Sequence, residues 1–273
     1  MENIRQAIER AKGHPEQRSG VGFEPPRQQV RPGFGLAFDE NRTQEVRLDF
    51  AHLQSERIVA YDGKDQRSLP FDMLRTEVLR SMDLKGWKTL AVTSPTPSCG
   101  KTLIAANLAL STAREPERQV VLADLDLRKP RIAGCLGLNC GEGVLGVLEG
   151  RIGMDDAIIR ARAGSSRLEV LPTPPASNPS DLVGSGAMRM LLQDVAVHGQ
   201  GQSRIVILDL PPLLTGHDVI SILPQVDCVL LVAAVGTSTV FEIEECNRYL
   251  QATDVVRVVL NKGTESSTTY GYY

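Results

Sequence analysis

Short apolar runs recur along the chain at Thr89–Thr93, Val120–Ala123, Leu168–Leu171, Ile205–Leu208, Val229–Ala233 and Val255–Leu260, and they are continuous rather than alternating. A strand with one wet face alternates apolar and polar residues, so a continuous run means that both faces are covered. Between these runs lie stretches with helical spacing of apolar residues, including Thr102–Ala113, Met188–Val195 and Glu242–Gln251. Together they predict an α/β fold, a mostly parallel sheet with helices on both faces. Such a sheet binds ligands outside the carboxyl ends of its strands. Ahead of the first run, Ser68-Leu-Pro-Phe opens a further helix. Pro70 suits its first turn, Phe71, Leu74, Val78 and Met82 form an apolar stripe, and Gly86 is a suitable stop.

Three segments that carry chemistry fall where that fold would place them. Ser94-Pro-Thr-Pro-Ser-Cys-Gly-Lys-Thr102 follows a strand and opens a helix. A loop of this kind, here Pro97, Ser98, Cys99, Gly100, Lys101 and Thr102, wraps phosphate oxygens with the backbone N–H groups of its non-proline residues. Lys101 would reach the β- and γ-phosphates of ATP and the Thr102 hydroxyl would ligate Mg²⁺. Pro95 stands where the GxxxxGK[ST] pattern has its first glycine. As a loop lysine facing the surface, Lys101 is expected to be replaceable by alanine without loss of the fold.

The second segment is Val120-Val-Leu-Ala-Asp-Leu-Asp-Leu-Arg-Lys-Pro130. Asp124 and Asp126 are two residues apart, so in extended chain they project to one face. Two carboxylates there repel unless cations lie between them, which Mg·ATP supplies. One could join the metal shell while the other takes a proton from an incoming hydroxyl. In the third segment, Arg204-Ile-Val-Ile-Leu-Asp-Leu-Pro-Pro212, Asp209 is the expected second support for Mg²⁺.

The chain divides into three zones. In residues 2–12, Ile4, Ala7, Ile8 and Ala11 have the spacing of a short amphipathic helix, and residues 13–45, rich in Gly, Pro, Gln and Arg, read as a flexible linker. Residues 46–265 form the globular domain, and 266–273 a tail holding Tyr270, Tyr272 and Tyr273. Such a tail is either inert or a substrate able to thread into a neighbouring site.

Charge and composition exclude several classes. A net charge of -3 gives no field toward nucleic acid. The longest apolar run, Cys228–Val235, is far below the roughly 20 residues of a membrane span, and Met1–Lys12 has no apolar core of a signal peptide. Five cysteines without a CxxC pair fit a reducing cytosol better than a disulfide framework or a zinc site. Cys99 is read as filling a tolerant loop position, with redox control as the other reading.

Over roughly Arg57–Tyr273 these residues resemble the bacterial tyrosine kinases, the cytoplasmic autokinases of capsule and exopolysaccharide loci, within the P-loop NTPases of the deviant-Walker, partitioning-ATPase-like type. The resemblance rests on Asp124, Asp126, Arg128 and Pro130, on Asp209-Leu-Pro-Pro212, on the segment Leu171–Leu182, on Val259-Leu-Asn-Lys262 and on the terminal tyrosines. It implies Lys101, Asp124, Asp126 and Arg128 as catalytic residues, Thr102, Asp124, Asp126 and Asp209 around Mg²⁺, and Asn261 at the adenine. It further implies transfer of the γ-phosphoryl of ATP to Tyr270, Tyr272 and Tyr273 of neighbouring copies, with other protein substrates open. The implied partners are further copies and a membrane adaptor, a polysaccharide co-polymerase whose cytoplasmic tail activates the kinase and recruits it to the inner face of the membrane. The family's ring-forming ExxRxxR helix reads here Leu69, Asp72 and Arg75. Two other readings share the motifs. A partitioning-type ATPase would carry a signature lysine where Thr96 stands, and a nucleotide-gated adaptor would bind ATP without transferring phosphate.

Overall fold

The computed structural model describes residues 45–176, 179–197 and 203–263. The expected docking helix (2–12), all but the last residue of the linker (13–45) and the tyrosine tail (266–273) lie outside them. In chain order the elements are β1 (Val46–Arg47), α1 (Phe50–Ser55), α2 (Leu69–Lys85), β2 (Thr89–Thr93), α3 (Lys101–Thr112), β3 (Gln119–Asp124), α4 (Ile132–Leu136), α5 (Gly143–Leu148), α6 (Met154–Ala157), β4 (Ile159–Ala163), β5 (Ser166–Leu171), α7 (Pro179–Val183), α8 (Gly186–Val197), β6 (Arg204–Asp209), α9 (Asp218–Ile222), β7 (Cys228–Ala234), α10 (Val240–Tyr249) and β8 (Asp254–Asn261).

The strands form one sheet in the order β1-β4-β5-β3-β6-β2-β7-β8. Every neighbouring pair is parallel except β4 with β5. Each predicted strand is present, and β2, β6 and β7 are buried at every residue, as continuous apolar runs require. Alternate residues enter two separate layers. Leu90, Val92, Leu122, Ile207 and Leu230 pack against Val78 and Met82 of α2 and Ile104 and Leu108 of α3. Ala91, Val121, Val206, Leu208 and Leu231 pack against Leu191 and Val195 of α8 and Cys246 of α10. Burial of each large side chain contributes about 1.5–3 kcal/mol, so both layers hold the central strands rigid.

Helix α2 begins at Leu69-Pro70 and ends at Gly86 with φ 70°, the left-handed stop expected from the sequence. The unforeseen elements are those with the weakest patterns. In β4, Ile-Arg-Ala-Arg-Ala buries only its alanines fully. It folds back antiparallel on β5 through Gly164. Helix α1 is six residues long, opened by Asp49, whose carboxylate accepts from Ala51 N.

At the centre of the sheet the register aligns Asp124 of β3 with Asp209 of β6, and Val92 of β2 with the same Asp209. The three segments singled out in the sequence thus leave adjacent strands at one edge of the sheet. No helix among the described residues is long and apolar enough to cross a membrane.

Candidate functional site

The loop between β2 and α3 is shaped by its carbonyls. Those of Ser94 and Pro95 accept from Leu213 N and Leu214 N, that of Thr96 from Ser94 Oγ, and that of Cys99 from Asn261 Nδ2 at 2.9 Å. The carbonyls are therefore turned into the protein, and the opposite edge of the backbone faces outward. Among the described residues no hydrogen bond uses the N–H of Ser98, Cys99, Gly100, Lys101 or Thr102. Ser98 has φ 64° and Gly100 φ 93°, the alternation of backbone hand that gathers N–H groups into a nest. The φ of Gly100 favours glycine, and a Cβ there would also press, at 2.2 Å, on Asn261 Nδ2, displacing its grip on the loop. Unsatisfied donors at the positive end of a helix are a site for an anion.

Below the nest, Lys101 Nζ lies 3.0 Å from Asp126 Oδ2 and 3.3 Å from Asp209 Oδ1. Thr102 Oγ1 donates to Asp209 Oδ2 at 2.6 Å. The sequence reading placed Lys101 on the surface. Its side chain is instead only 11% exposed. Burial works against its charge, but the carboxylates of Asp209 and Asp126 outweigh burial and raise its pKa.

The paired carboxylates are not equivalent. Strand β3 ends at Asp124, so the extended geometry that would align Asp124 and Asp126 stops between them. Asp124 is fully buried, and its carboxylate accepts from the N–H groups of Asp126 (3.1 Å), Arg131 (2.8 Å) and Ile132 (2.9 Å). Thr173, which the sequence reading did not single out, donates its hydroxyl to the Asp124 carbonyl. Asp124 therefore organises the loop into α4, while Asp126 turns its Oδ2 to Lys101.

Burial, and then the neighbouring Asp209, push Asp124 up to about 7, and burial raises Asp209 as well. Between the ordinary carboxylate pKa near 4 and about 7, the folded protein binds more protons at Asp124 than the unfolded chain does. Its contribution to stability therefore falls as pH rises through that window. A carbon-detected NMR titration of the aspartate carboxyls, without nucleotide, is expected to show one midpoint near 7. A full set of midpoints below 5 would contradict this.

One cation facing Asp124, Asp126 and Asp209 leaves an excess of negative charge that suits a divalent ion. Among the described residues no three carboxylate, imidazole or thiol groups converge closely enough to hold a metal alone. Mg²⁺ is commonly held by one or two carboxylates together with substrate phosphates. Here Thr102 and Asp209 would hold it beside the anion nest.

Of the remaining expected residues, Arg128 donates Nε to Asp218 Oδ2 at 2.7 Å, a buried partner in α9 that sequence reasoning missed. Asn261 joins the site by gripping the phosphate loop through Cys99, which is a different contact from the expected one with adenine. Pro97 and Ser98 are exposed on the loop. Cys99 is buried with its thiol against the Thr96 carbonyl, and all five cysteines are free.

No protein-family model matches the chain. It is 31% identical over 201 residues to EpsB of Ralstonia solanacearum, an alignment covering 73% of this chain and 26% of that protein, so it spans about a quarter of that relative. It is 27% identical over 229 residues to the tyrosine-protein kinase YwqD of Bacillus subtilis, covering 82% of this chain and 93% of that protein. The solved kinase domain of the Escherichia coli tyrosine kinase ETK superposes with a TM-score of 0.67 at 27% identity, over 79% of this chain and 84% of that one. At the level of fold alone, the likeness extends to the septum site-determining protein MinD of Pyrococcus horikoshii, with a TM-score of 0.54 at 18% identity over 66% of this chain and 72% of that one. The mostly parallel sheet, the anion nest at the head of α3 and these likenesses place the chain in the family of bacterial tyrosine-protein kinase domains, a branch of the P-loop NTPases.

Proposed function

We propose that the chain is an ATP-dependent protein-tyrosine autokinase that transfers the γ-phosphoryl of ATP to Tyr270, Tyr272 and Tyr273 of neighbouring copies. The observation that carries this reading is the convergence of the outward N–H groups of the phosphate loop with Lys101, Thr102, Asp126 and Asp209. The loop N–H groups and Lys101 would bind the phosphates, with Lys101 leaving its carboxylates to follow the developing charge. Mg²⁺, when bound, would neutralise phosphate charge. Asp126 is the better proton acceptor, because Asp124 is locked by three backbone N–H groups across both oxygens, whereas Asp126 is held by backbone only at Oδ1, through Lys129 N, and its Oδ2 is freed when Lys101 turns to the phosphates. The tyrosine hydroxyl gives its proton to Asp126, its oxygen bonds to the γ-phosphorus, the bond to the β-phosphate breaks, and ADP leaves.

By family resemblance the activity would regulate polysaccharide synthesis and export, with a membrane adaptor bringing the kinase to the inner face of the membrane. Asp72 and Arg75, at positions of the family's ring-forming helix, are engaged inside this molecule. Asp72 accepts from Ser111 Oγ at 2.6 Å and Arg75 pairs with Glu115 at 3.1 Å. Self-association would therefore use other contacts.

Incubating the purified protein with Mg·ATP and probing for phosphotyrosine tests the reading. ATP hydrolysis or binding without phosphotyrosine would instead support a nucleotide-gated ATPase or adaptor. Within the kinase reading, Asp126→Asn is expected to lower transfer by about 10²-fold or more with little change in ATP affinity. Asp209→Asn should move the Mg²⁺ requirement to higher concentration. Equal transfer by both variants and wild type would remove the base and metal roles.

A further inference from the structure

Asp218 is 3% exposed, yet it belongs to none of the segments that define the site. A buried carboxylate is costly unless it is paired. Arg128 Nε lies 2.7 Å from its Oδ2. Its Oδ1 accepts no hydrogen bond among the described residues, and the His217 ring is 3.9 Å away. The Arg128 side chain remains 45% exposed, so Asp218 holds the guanidinium from the buried side while it stays at the surface.

The surroundings of Asp218 tie this pair to the reacting groups. The segment leading into α9 is fastened to the phosphate loop, with Leu213 N on the Ser94 carbonyl at 2.8 Å and Leu214 N on the Pro95 carbonyl at 3.1 Å. Thr93 Oγ1 also donates to the Pro211 carbonyl at 2.7 Å. On the other side, Arg128 stands two residues beyond Asp126, whose Oδ2 touches Lys101 Nζ. The ion pair thus closes a circuit from the phosphate loop through residues 211–218 to Arg128, Asp126 and back to Lys101.

We infer that Asp218 is a positioning residue: through its buried ion pair it fixes Arg128 as a second cation at the rim of the carboxylate cluster, set for the phosphoryl group in transfer. This rests on the kinase reading above. A mobile arginine carries considerable side-chain entropy, which ordering in the transition state would cost. Holding it in advance by a rigid carboxylate removes that cost from the chemical step. Asp218 itself touches no reacting atom.

The test is a double-mutant cycle on autophosphorylation with Asp218→Asn, Arg128→Lys and the pair combined. Each single variant is expected to lower kcat about tenfold or more with KM for Mg·ATP within about twofold, and the combination to be no slower than the worse single variant. Affinity for a fluorescent ATP analogue should stay unchanged in all three. If Asp218→Asn fails to fold, Arg128→Lys still decides the matter, because that side chain is half exposed and keeps its charge. Multiplicative losses, a rise in KM alone, or either single variant at the wild-type kcat would overturn the positioning role while leaving the kinase reading standing. A wild-type protein that makes no phosphotyrosine would overturn both.

Discussion

Replacing Lys101 by methionine is expected to lower tyrosine phosphorylation by about 10²–10³-fold, the usual effect of deleting one preorganised charge from a transfer site. The choice of methionine follows from the structure. Lys101 is enclosed and faces Asp126 and Asp209, so alanine would leave both a void and two carboxylates without their cation. Breaking a buried pair from one side costs about 3–5 kcal/mol when the remaining charge cannot escape. Here part of that cost is avoided, because burial already raises Asp209 and it can take up a proton. Lys101→Met should therefore fold but show a lower thermal midpoint at neutral pH than at pH 5, where the raised Asp209 takes up its proton more readily. Transfer by Lys101→Met at a near wild-type rate would remove the lysine from the mechanism. A variant that melts at the same temperature at both pH values would show that the pairs with Asp126 and Asp209 contribute nothing to the fold.

The parts of this site that are legible in the sequence are those set by local pattern. Thr102, Asp124 and Asp209 each stand at the end of a continuous apolar run or at the start of a helix, and the fold class fixes that such ends share one edge of the sheet. What local pattern does not contain is which strands are neighbours. The hydrogen bond from Thr102 to Asp209 spans 107 residues, that from Arg128 to Asp218 spans 90, and that from Asn261 to the Cys99 carbonyl spans 162. These contacts exist because β3, β6 and β2 lie side by side and β8 closes the far edge. The burial of Lys101 and the role of Asn261 as a clamp on the loop follow from that order. So does the division of labour between Asp124 and Asp126, since it depends on β3 ending at Asp124 and the next turn supplying N–H groups. The antiparallel β4 escaped for a different reason: its arginines keep one side in solvent, so it lacks the continuous apolar signal of the central strands.

Changing Tyr270, Tyr272 and Tyr273 together to phenylalanine is expected to remove nearly all incorporated phosphate while sparing ATP binding, because phenylalanine keeps the ring and loses only the nucleophile. Tyr270 and Tyr273 stand 9 and 12 residues beyond Asn261, the residue that clamps the phosphate loop. Extended chain covers about 3.3–3.6 Å per residue, so the tail reaches about 30–43 Å at full stretch. A reach of that order would let the tail enter the site of an adjacent copy. Each phosphate adds about 1.5–2 negative charges. Several of them would repel Asp126 and Asp209, so a phosphorylated tail should leave the site and loosen the assembly. Transfer between copies is tested by mixing the triple phenylalanine variant, which has an intact site but no acceptor, with Lys101→Met, which has the acceptors but no catalysis. Phosphotyrosine should accumulate on the Lys101→Met chain, at a rate that rises with the concentration of the other. An unlabelled Lys101→Met chain, in a mixture where wild type alone is active, would mean that each chain phosphorylates itself, and the intermolecular reading would fall.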